Sequence, residues 1–121
     1  MIFLDVEIIE NEFSICKLSD FKDLNFNDEF TFFSKTDNEI SLVCKSDNVP
    51  KNCIECEHGF GCFRIKGILD FSIVGLIAKI STILAENKIV IFVVSTFNTD
   101  YIFVKKENLK KSIDLIKKIP S

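Results

Sequence analysis

Two segments in the second half of the chain carry groups suited to binding a small molecule. The first, Gly67-Ile68-Leu69-Asp70-Phe71-Ser72, leads into a periodic helix pattern. The start of a helix has free backbone N–H groups, which can hold an anionic group without a charged side chain. The second, residues 95–100, is polar although it lies between two apolar runs. Together these segments predict a small-molecule site.

The same residues also have purely structural explanations. Asp70 and Ser72 are suitable helix caps, and residues 98–100 are ordinary hairpin-turn residues. Gly75 falls within the first turn of the predicted helix, where it costs about 1 kcal/mol relative to Ala. We therefore expect that something approaches the backbone closely at Gly75.

Three of the five cysteines and the single histidine fall within ten residues, at Cys53, Cys56, His58 and Cys62. Thiolate and imidazole are ligands of structural zinc, so the segment offers enough donors for one ion. However, the spacing matches no common zinc pattern, and Cys62 falls in a predicted strand. We expect free reduced thiols and neither metal nor cofactor. A zinc site at these four residues and a redox dithiol at Cys53 and Cys56 stay open as alternatives.

The composition is that of a globular protein. The chain has 121 residues, of which 47% are hydrophobic, and no apolar run reaches the roughly 18 residues of a membrane span. Its N-terminus lacks the basic region of a signal peptide. The odd number of cysteines argues against a secreted disulfide framework. We therefore expect a cytoplasmic protein that does not contact a membrane.

The charge pattern and the motifs argue against two further classes. Residues 1–59 carry 5 Lys and 13 Asp or Glu, whereas residues 60–121 carry 10 Lys or Arg and 5 Asp or Glu. Since the chain has a single Arg and a pI of about 5.2, we expect no nucleic-acid partner. The 4 glycines form no phosphate-binding motif, and His58 has no evident orienting carboxylate. We therefore expect no catalytic residues and no enzyme.

Hydrophobic periodicity predicts the order strand, helix, strand, strand, helix in the second half. The strands are predicted at 60–66, 89–94 and 101–104, and the helices at 72–87 and 107–118. Because the strand at 89–94 is apolar on both faces, we expect both faces to be covered, through homodimerisation or packing between the halves. A ferredoxin-like unit needs one more strand, so another segment should supply the missing edge.

The first half is predicted to be strand-rich and without a helix. Residues 3–9 and 13–18 are short apolar segments, and 30–33 with 40–44 form a predicted hairpin. Residues 47–57 are predicted to be a linker.

These patterns resemble small bacterial proteins of the ACT-domain family. The resemblance lies in residues 63–71, in the helix that follows them, and in 91–104, which contains Ser-Thr-Phe-Asn-Thr-Asp-Tyr. Residues 14–18 and 36–44, followed by Val49-Pro50, resemble the degenerate N-terminal ACT-like half of such proteins. The chain is also similar to the tandem ACT modules of aspartate kinases and of a eukaryotic cytosolic arginine sensor.

The resemblance implies an α+β fold made of two halves. Residues 60–121 would form a ferredoxin-like ACT domain, and residues 1–59 a degenerate, strand-rich ACT-like half. The sheet would be antiparallel, with helices on one face.

The resemblance also implies a non-catalytic regulatory domain that binds an amino acid or similar small metabolite at an ACT–ACT interface. The response would pass to an unidentified protein partner. The ligand would be held by the loop and helix start and by the segment between strands, that is by Gly67, Ile68, Leu69, Asp70, Phe71, Ser72, Thr96, Asn98 and Asp100. Backbone N–H groups at 69–72 would donate hydrogen bonds to an α-carboxylate, and Asp70 or Asp100 would accept them from an ammonium group or a cationic side chain. The alternative is a protein–protein interaction module without a small-molecule ligand.

Overall fold

The computed structural model describes residues 5–66 and 75–119. These residues form six strands, two α-helices and two short 3-10 turns. The strands are β1 (Val6–Leu18), β2 (Phe32–Lys35), β3 (Ile40–Lys45), β4 (Cys53–Ile65), β5 (Phe92–Ser95) and β6 (Asp100–Lys105). The helices are α1 (Leu76–Glu86) and α2 (Leu109–Ile116), and the 3-10 turns are Ser46–Asn48 and Lys106–Asn108. Neither helix is long and apolar enough to cross a bilayer.

The described residues divide into two compact units. We call residues 11–60 the sheet unit, and the described residues of 1–10 and 61–121 the helical unit. These are not the same sets as the two sequence halves, because residues 5–10 belong with the second half. The strand order is β2-β3-β1-β4 in the sheet unit and β1-β4-β6-β5 in the helical unit.

The helical unit has a ferredoxin-like α+β arrangement, with both helices packed on one face of its strands. Its main core cluster is formed by buried apolar residues of β4, β6, both helices and the segments that follow the helices, namely Phe63, Ile65, Leu76, Ile80, Leu84, Ile89, Ile102, Val104, Ile113, Ile116 and Ile119. The three- and four-residue spacing in α1 is what places Leu76, Ile80 and Leu84 on its buried side. The prediction of two amphipathic helices is confirmed.

The end of α1 was predicted at Asn87 and Lys88, and the structure shows how it is closed. Lys88 has a left-handed φ of 59°. Its N–H donates to Ala85 O at 2.9 Å, and Ile89 N–H donates to Leu84 O at 2.9 Å. These two bonds form a Schellman motif, which satisfies carbonyl groups at the end of the helix.

The missing edge strand of the helical unit comes from the beginning of the chain. The first part of β1 lies beside β4, and Val6 packs against the core of this unit. Just beyond the strands, Lys66 N–H donates to Asp5 O at 2.9 Å. The prediction that another segment supplies this edge is confirmed.

The sheet unit contains no α-helix among its residues 11–60. Strand β3 pairs antiparallel with both β1 and β2, with Leu42 opposite Cys16 and Phe33. Its small core consists of Cys16, Leu18, Leu42 and Cys44, covered by Leu24, Ile40, Val49, Cys53 and Cys56. Loop and turn residues therefore help to cover this face, where the helical unit uses helices.

Several predicted element boundaries were wrong. The predicted segments 3–9 and 13–18 belong, over the described residues, to one strand, β1. The predicted linker 47–57 contains a 3-10 turn and the start of β4, which begins at Cys53. Gly59 has a φ of 86° within β4. This conformation interrupts the alternation of side chains between the two faces of the strand. The start of β4 therefore lacks the two-residue period by which strands are predicted.

The strand predicted at 89–94 is shorter, and only part of it is covered. Strand β5 begins at Phe92 and lies at the edge of the helical unit. Ile89 is buried, whereas Val90 is 80% exposed and Phe92 is 38% exposed. Part of this segment is therefore exposed in the single chain, and its coverage through homodimerisation stays a prediction.

The close approach expected at Gly75 is instead found at Gly61. Gly75 precedes α1 with a φ of 78°, and a Cβ there would meet no atom of the described residues within 4 Å. Its backbone conformation alone explains the glycine. At Gly61, a Cβ would lie 3.0 Å from Leu109 Cδ2. Glycine at this position of β4 allows α2 to pack directly on the strand.

Candidate ligand-binding site

The predicted ligand residues fall into two groups in the structure. Gly67, Ile68, Leu69, Asp70, Phe71 and Ser72 lie outside the described residues. Thr96, Asn98 and Asp100 lie in the turn of the β5–β6 hairpin and at its exit. The capping roles considered for Asp70 and Ser72 also fall outside the described residues.

The hairpin turn is held by the residue that opens it. Thr96 N–H donates to Thr99 O at 2.8 Å, and the Thr96 hydroxyl donates to the same oxygen at 3.0 Å. Thr99 N–H in turn lies 3.4 Å from Thr96 Oγ1. The Thr96 hydroxyl is thus engaged within the turn, while Asn98 is exposed. Its role in the turn is therefore sufficient to explain a threonine at position 96, without a ligand.

Asp100 differs from its turn neighbours because it is buried, with 9% of its surface exposed. It pairs with Ser95 across the hairpin, and the Ser95 hydroxyl donates to Asp100 Oδ1 at 2.5 Å. Among the described residues, Asp100 makes no ion pair. A carboxylate in this position has acceptor capacity beyond a single hydroxyl donor.

A second contact fixes the hairpin beside the end of β4. The Thr99 hydroxyl donates to Ile65 O at 3.0 Å, and Ile65 is the last residue of β4. Gly67, the first of the predicted ligand residues, follows Ile65 by two positions in the sequence. Sequence reasoning treated Thr99 only as a turn residue and did not single out Ser95, since side-chain hydrogen bonds between strands leave no local pattern.

Arg64 forms a second polar group with Glu7 and Tyr101. Its Nε donates to Glu7 Oε1 at 2.8 Å, and its Nη1 donates to the Tyr101 hydroxyl at 3.1 Å. The guanidinium carbon lies 5.8 Å from the centre of the Tyr101 ring. The hydrogen bonds with Tyr101 and Glu7 raise the pKa of Arg64. Sequence reasoning missed this group because its members come from three different strands.

The four residues weighed as a zinc site are not brought together as a set. Cys53, Cys56 and His58 belong to the sheet unit, whereas Cys62 belongs to the helical unit. Cys62 is 1% exposed, and burial raises the pKa of its thiol to about 12. The described thiol cluster contains Cys16 in its place, with Cys53 and Cys56.

A surface groove of the helical unit lies away from Thr96, Asn98 and Asp100. It has a volume of about 490 Å³ and is open to solvent, and it is lined by Ala78, Lys79, Thr82, Ile83, Lys118 and Ile119. The groove therefore runs between α1 and the segment after α2. None of the described predicted ligand residues lines it.

The helical unit has the ferredoxin-like α+β fold expected of an ACT domain, and a comparison with protein-family models gives the same class. The model of the ACT domain matches residues 55–118, which include most of β4, both helices and the β5–β6 hairpin. The chain therefore belongs to the ACT-domain family.

Solved structures resemble the chain over nearly its whole length. Protein Atu0741 from Agrobacterium tumefaciens is 29% identical, with a TM-score of 0.78 over 96% of this chain and 88% of the other. VC0802 from Vibrio cholerae, described as a protein of unknown function and possible transport protein, is 20% identical, with a TM-score of 0.73 over 98% and 91%. The ligand-free regulatory subunit of aspartate kinase from Thermus thermophilus is 10% identical, with a TM-score of 0.67 over 94% and 96%. No curated protein matches the chain.

Proposed function

We propose that this protein is a non-catalytic regulatory domain of the cytoplasm that binds an amino acid or a similar small metabolite. Residues 60–121 would be the ACT domain and residues 1–59 its degenerate ACT-like half. The ligand would occupy an ACT–ACT interface, in a homodimer. Its site would be formed by residues 67–72, Thr96, Asn98 and Asp100.

The observation that carries this proposal is the buried carboxylate of Asp100. A buried carboxylate is costly unless it is hydrogen-bonded or paired with a cation. Asp100 receives the Ser95 hydroxyl, and no cationic side chain among the described residues pairs with it. An α-ammonium group would supply the missing positive charge through a charge-assisted hydrogen bond.

The contact between Thr99 and Ile65 supports the same location. It holds the exit of the hairpin beside the end of the strand from which residues 67–72 continue. We propose that backbone N–H groups of that segment bind the α-carboxylate of the same ligand whose ammonium group donates to Asp100. Binding would favour one arrangement of the protein over another, which requires different affinities for the two states.

Thermal unfolding in the presence of each of the twenty amino acids tests this proposal. A ligand at about 100 times its Kd adds roughly 2.7 kcal/mol to the native state. For a chain of this size, that corresponds to a rise in Tm of about ten degrees. We expect one amino acid or a related group to produce such a rise, and Asp100→Asn to abolish it.

Asp114→Asn is the matched control, because Asp114 is an exposed carboxylate on α2. It should leave the ligand-induced shift unchanged. The proposal fails if no amino acid raises Tm, or if Asp100→Asn binds the responding ligand as tightly as the unaltered protein.

The alternative function, a protein–protein interaction module without a ligand, is favoured by a different observation. Around edge strand β5, Val90 is 80% exposed and Phe97 is 93% exposed. Such residues suit a partner surface, and the unidentified protein partner or a second copy of the chain would cover them. Light scattering after size exclusion separates the two cases: a monomer under all conditions would remove the homodimer and leave the protein partner.

A further inference from the structure

Four of the five cysteines converge on one face of the sheet unit. Cys16 lies on β1, Cys44 on β3, and Cys53 and Cys56 at the start of β4. They form or cover the small core of this unit. Since three neighbouring strands contribute them, the cluster results from strand pairing and not from a local sequence motif.

Three of these thiols have the spacing of a ligand set. The sulfur atoms of Cys16, Cys53 and Cys56 all lie within 4.8 Å of one another, and Cys16 Sγ is 3.1 Å from Cys56 Sγ. A zinc–sulfur bond of about 2.3 Å places ligand sulfurs about 4 Å apart. Moving each sulfur by less than about 1 Å would therefore create a coordination site, a change within reach of side-chain rotation.

We propose that Cys16, Cys53 and Cys56 bind one thiophilic d10 metal ion, such as Zn²⁺, in the sheet unit. The three thiolates form a trigonal base, and a water molecule or a fourth protein donor completes the coordination. Binding releases three thiol protons, so the apparent affinity falls as the pH is lowered. This site is independent of the proposed ligand site, which uses residues of the helical unit.

The surroundings of the cluster provide entry and support. Cys16 is 3% exposed, whereas Cys53 and Cys56 are half-buried, so an ion can enter past the latter two. On the same strand, His58 Nδ1 lies 3.8 Å from Cys56 Sγ and 2.8 Å from Ser14 Oγ. Ser14 Oγ lies 2.7 Å from Ser46 Oγ. A row of polar side chains in contact with one another thus lies beside the thiols.

The number of thiols fits a metal ion better than a redox couple. A redox dithiol uses two sulfur atoms, whereas three sulfur atoms lie within 4.8 Å of one another here. Zn²⁺ commonly takes three or four thiolate and imidazole ligands in such an arrangement.

The test uses the full-length protein, reduced with a phosphine and freed of metal. After addition of Zn²⁺ and gel filtration, we expect one zinc ion per chain by atomic emission. Titration with Cd²⁺ should produce a thiolate-to-cadmium charge-transfer band that saturates at one equivalent. Cys53→Ala and Cys56→Ala should each weaken binding by about 100-fold.

Cys62→Ala is the matched control, since it removes a thiol outside the cluster. It should retain both stoichiometry and affinity. Alkylation mapped by mass spectrometry adds a second readout: Zn²⁺ should protect Cys53 and Cys56. The proposal is overturned if no zinc is retained, if Cys62→Ala weakens binding as much as Cys56→Ala, or if the protein isolated in air carries a Cys16–Cys56 disulfide and then binds no metal after reduction.

Discussion

The β2–β3 hairpin and the β5–β6 hairpin have the same pairing register, 60 residues apart. Phe32 lies opposite Val43 in the first hairpin, and Phe92 opposite Phe103 in the second. In both, a threonine after the first strand closes a four-residue turn, and a 3-10 turn follows the second strand. The two units therefore share a backbone element although most of its side chains differ.

What surrounds the two hairpins differs. After the 3-10 turn Lys106–Asn108 the chain continues into α2, whereas after Ser46–Asn48 it soon enters β4. The loop between β1 and β2 likewise stands where the helical unit has α1. Among the described residues, the cluster packed beneath the helices has eleven buried members, whereas the cluster around Cys16 in the sheet unit has four. A helical layer is thus what enlarges the core, while the hairpin is common to both.

The difference in covering layer explains the residue types beneath it. Aligning Phe13 of β1 with Phe60 of β4 places Cys16 at the position of Phe63. Phe63 packs in the helix-covered core, and Cys16 packs in the core covered by loop and strand residues. Where no helix packs on the strand, a cysteine side chain is large enough to fill the position. The thiol of Cys16 is then available to bind a metal ion.

The largest expected effect tests this contrast at the two aligned positions. Phe63→Ala should lower the free energy of unfolding by about 3 to 5 kcal/mol, because it leaves a cavity beneath the helices. Cys16→Ala removes a single buried sulfur and should cost about 1 kcal/mol. Urea unfolding of the reduced, metal-free protein measures both. Equal costs would contradict the proposed difference between the two cores.

The features recovered from the sequence are those encoded locally. The helices follow from apolar spacing, and both hairpins follow from apolar runs on either side of a Thr- and Asn-containing turn. The ACT-domain family followed from residues 63–71 and 91–104, and the family match at 55–118 confirms it. Each of these signals lies within a short stretch of chain.

The features that sequence reasoning missed depend on distant residues. That an edge strand was missing could be inferred, but not that residues 6–10 supply it. Cys16 joins Cys53 and Cys56 only because β1 and β4 are neighbours. Similarly, Arg64 meets Glu7 across 57 residues. The local pattern of a strand does not specify its partner, so such contacts cannot be read from spacing.

An intermediate effect concerns the alkaline stability of the helical unit. Burial raises the pKa of Cys62 from 9.0 to about 12. Between these values the unfolded thiol loses its proton while the folded thiol keeps it, so stability falls as the pH rises. Because the unfolded thiol is already half ionised at pH 9, Cys62 alone should cost about 1 kcal/mol between pH 9 and pH 10. Urea unfolding at pH 7, 9 and 10 should show a smaller alkaline loss in Cys62→Ala.

Cys56→Ala provides the comparison from the sheet unit. Its thiol pKa is also raised to about 12, again mainly by burial, but the residue is only half-buried. We expect a smaller reduction of the alkaline loss than for Cys62→Ala. If removing Cys62 leaves the alkaline loss unchanged, the protonated buried thiol is not its source.

The smallest expected effect compares the two turn threonines. Thr36 Oγ1 accepts the N–H groups of Asn38 and Glu39, each at 3.1 Å, whereas Thr96 Oγ1 accepts one longer bond of 3.4 Å from Thr99. Thr36→Ala and Thr96→Ala should each cost about 0.5 to 1 kcal/mol, with the larger cost at Thr36. Urea unfolding measures the difference. Thr→Ser at each position keeps the hydroxyl and should retain most of the stability. The serine variants could instead lose as much free energy of unfolding as the alanine variants. The methyl group and not the hydroxyl would then stabilise the turn, and the hydroxyl hydrogen bonds would not explain why the two hairpins have the same turn.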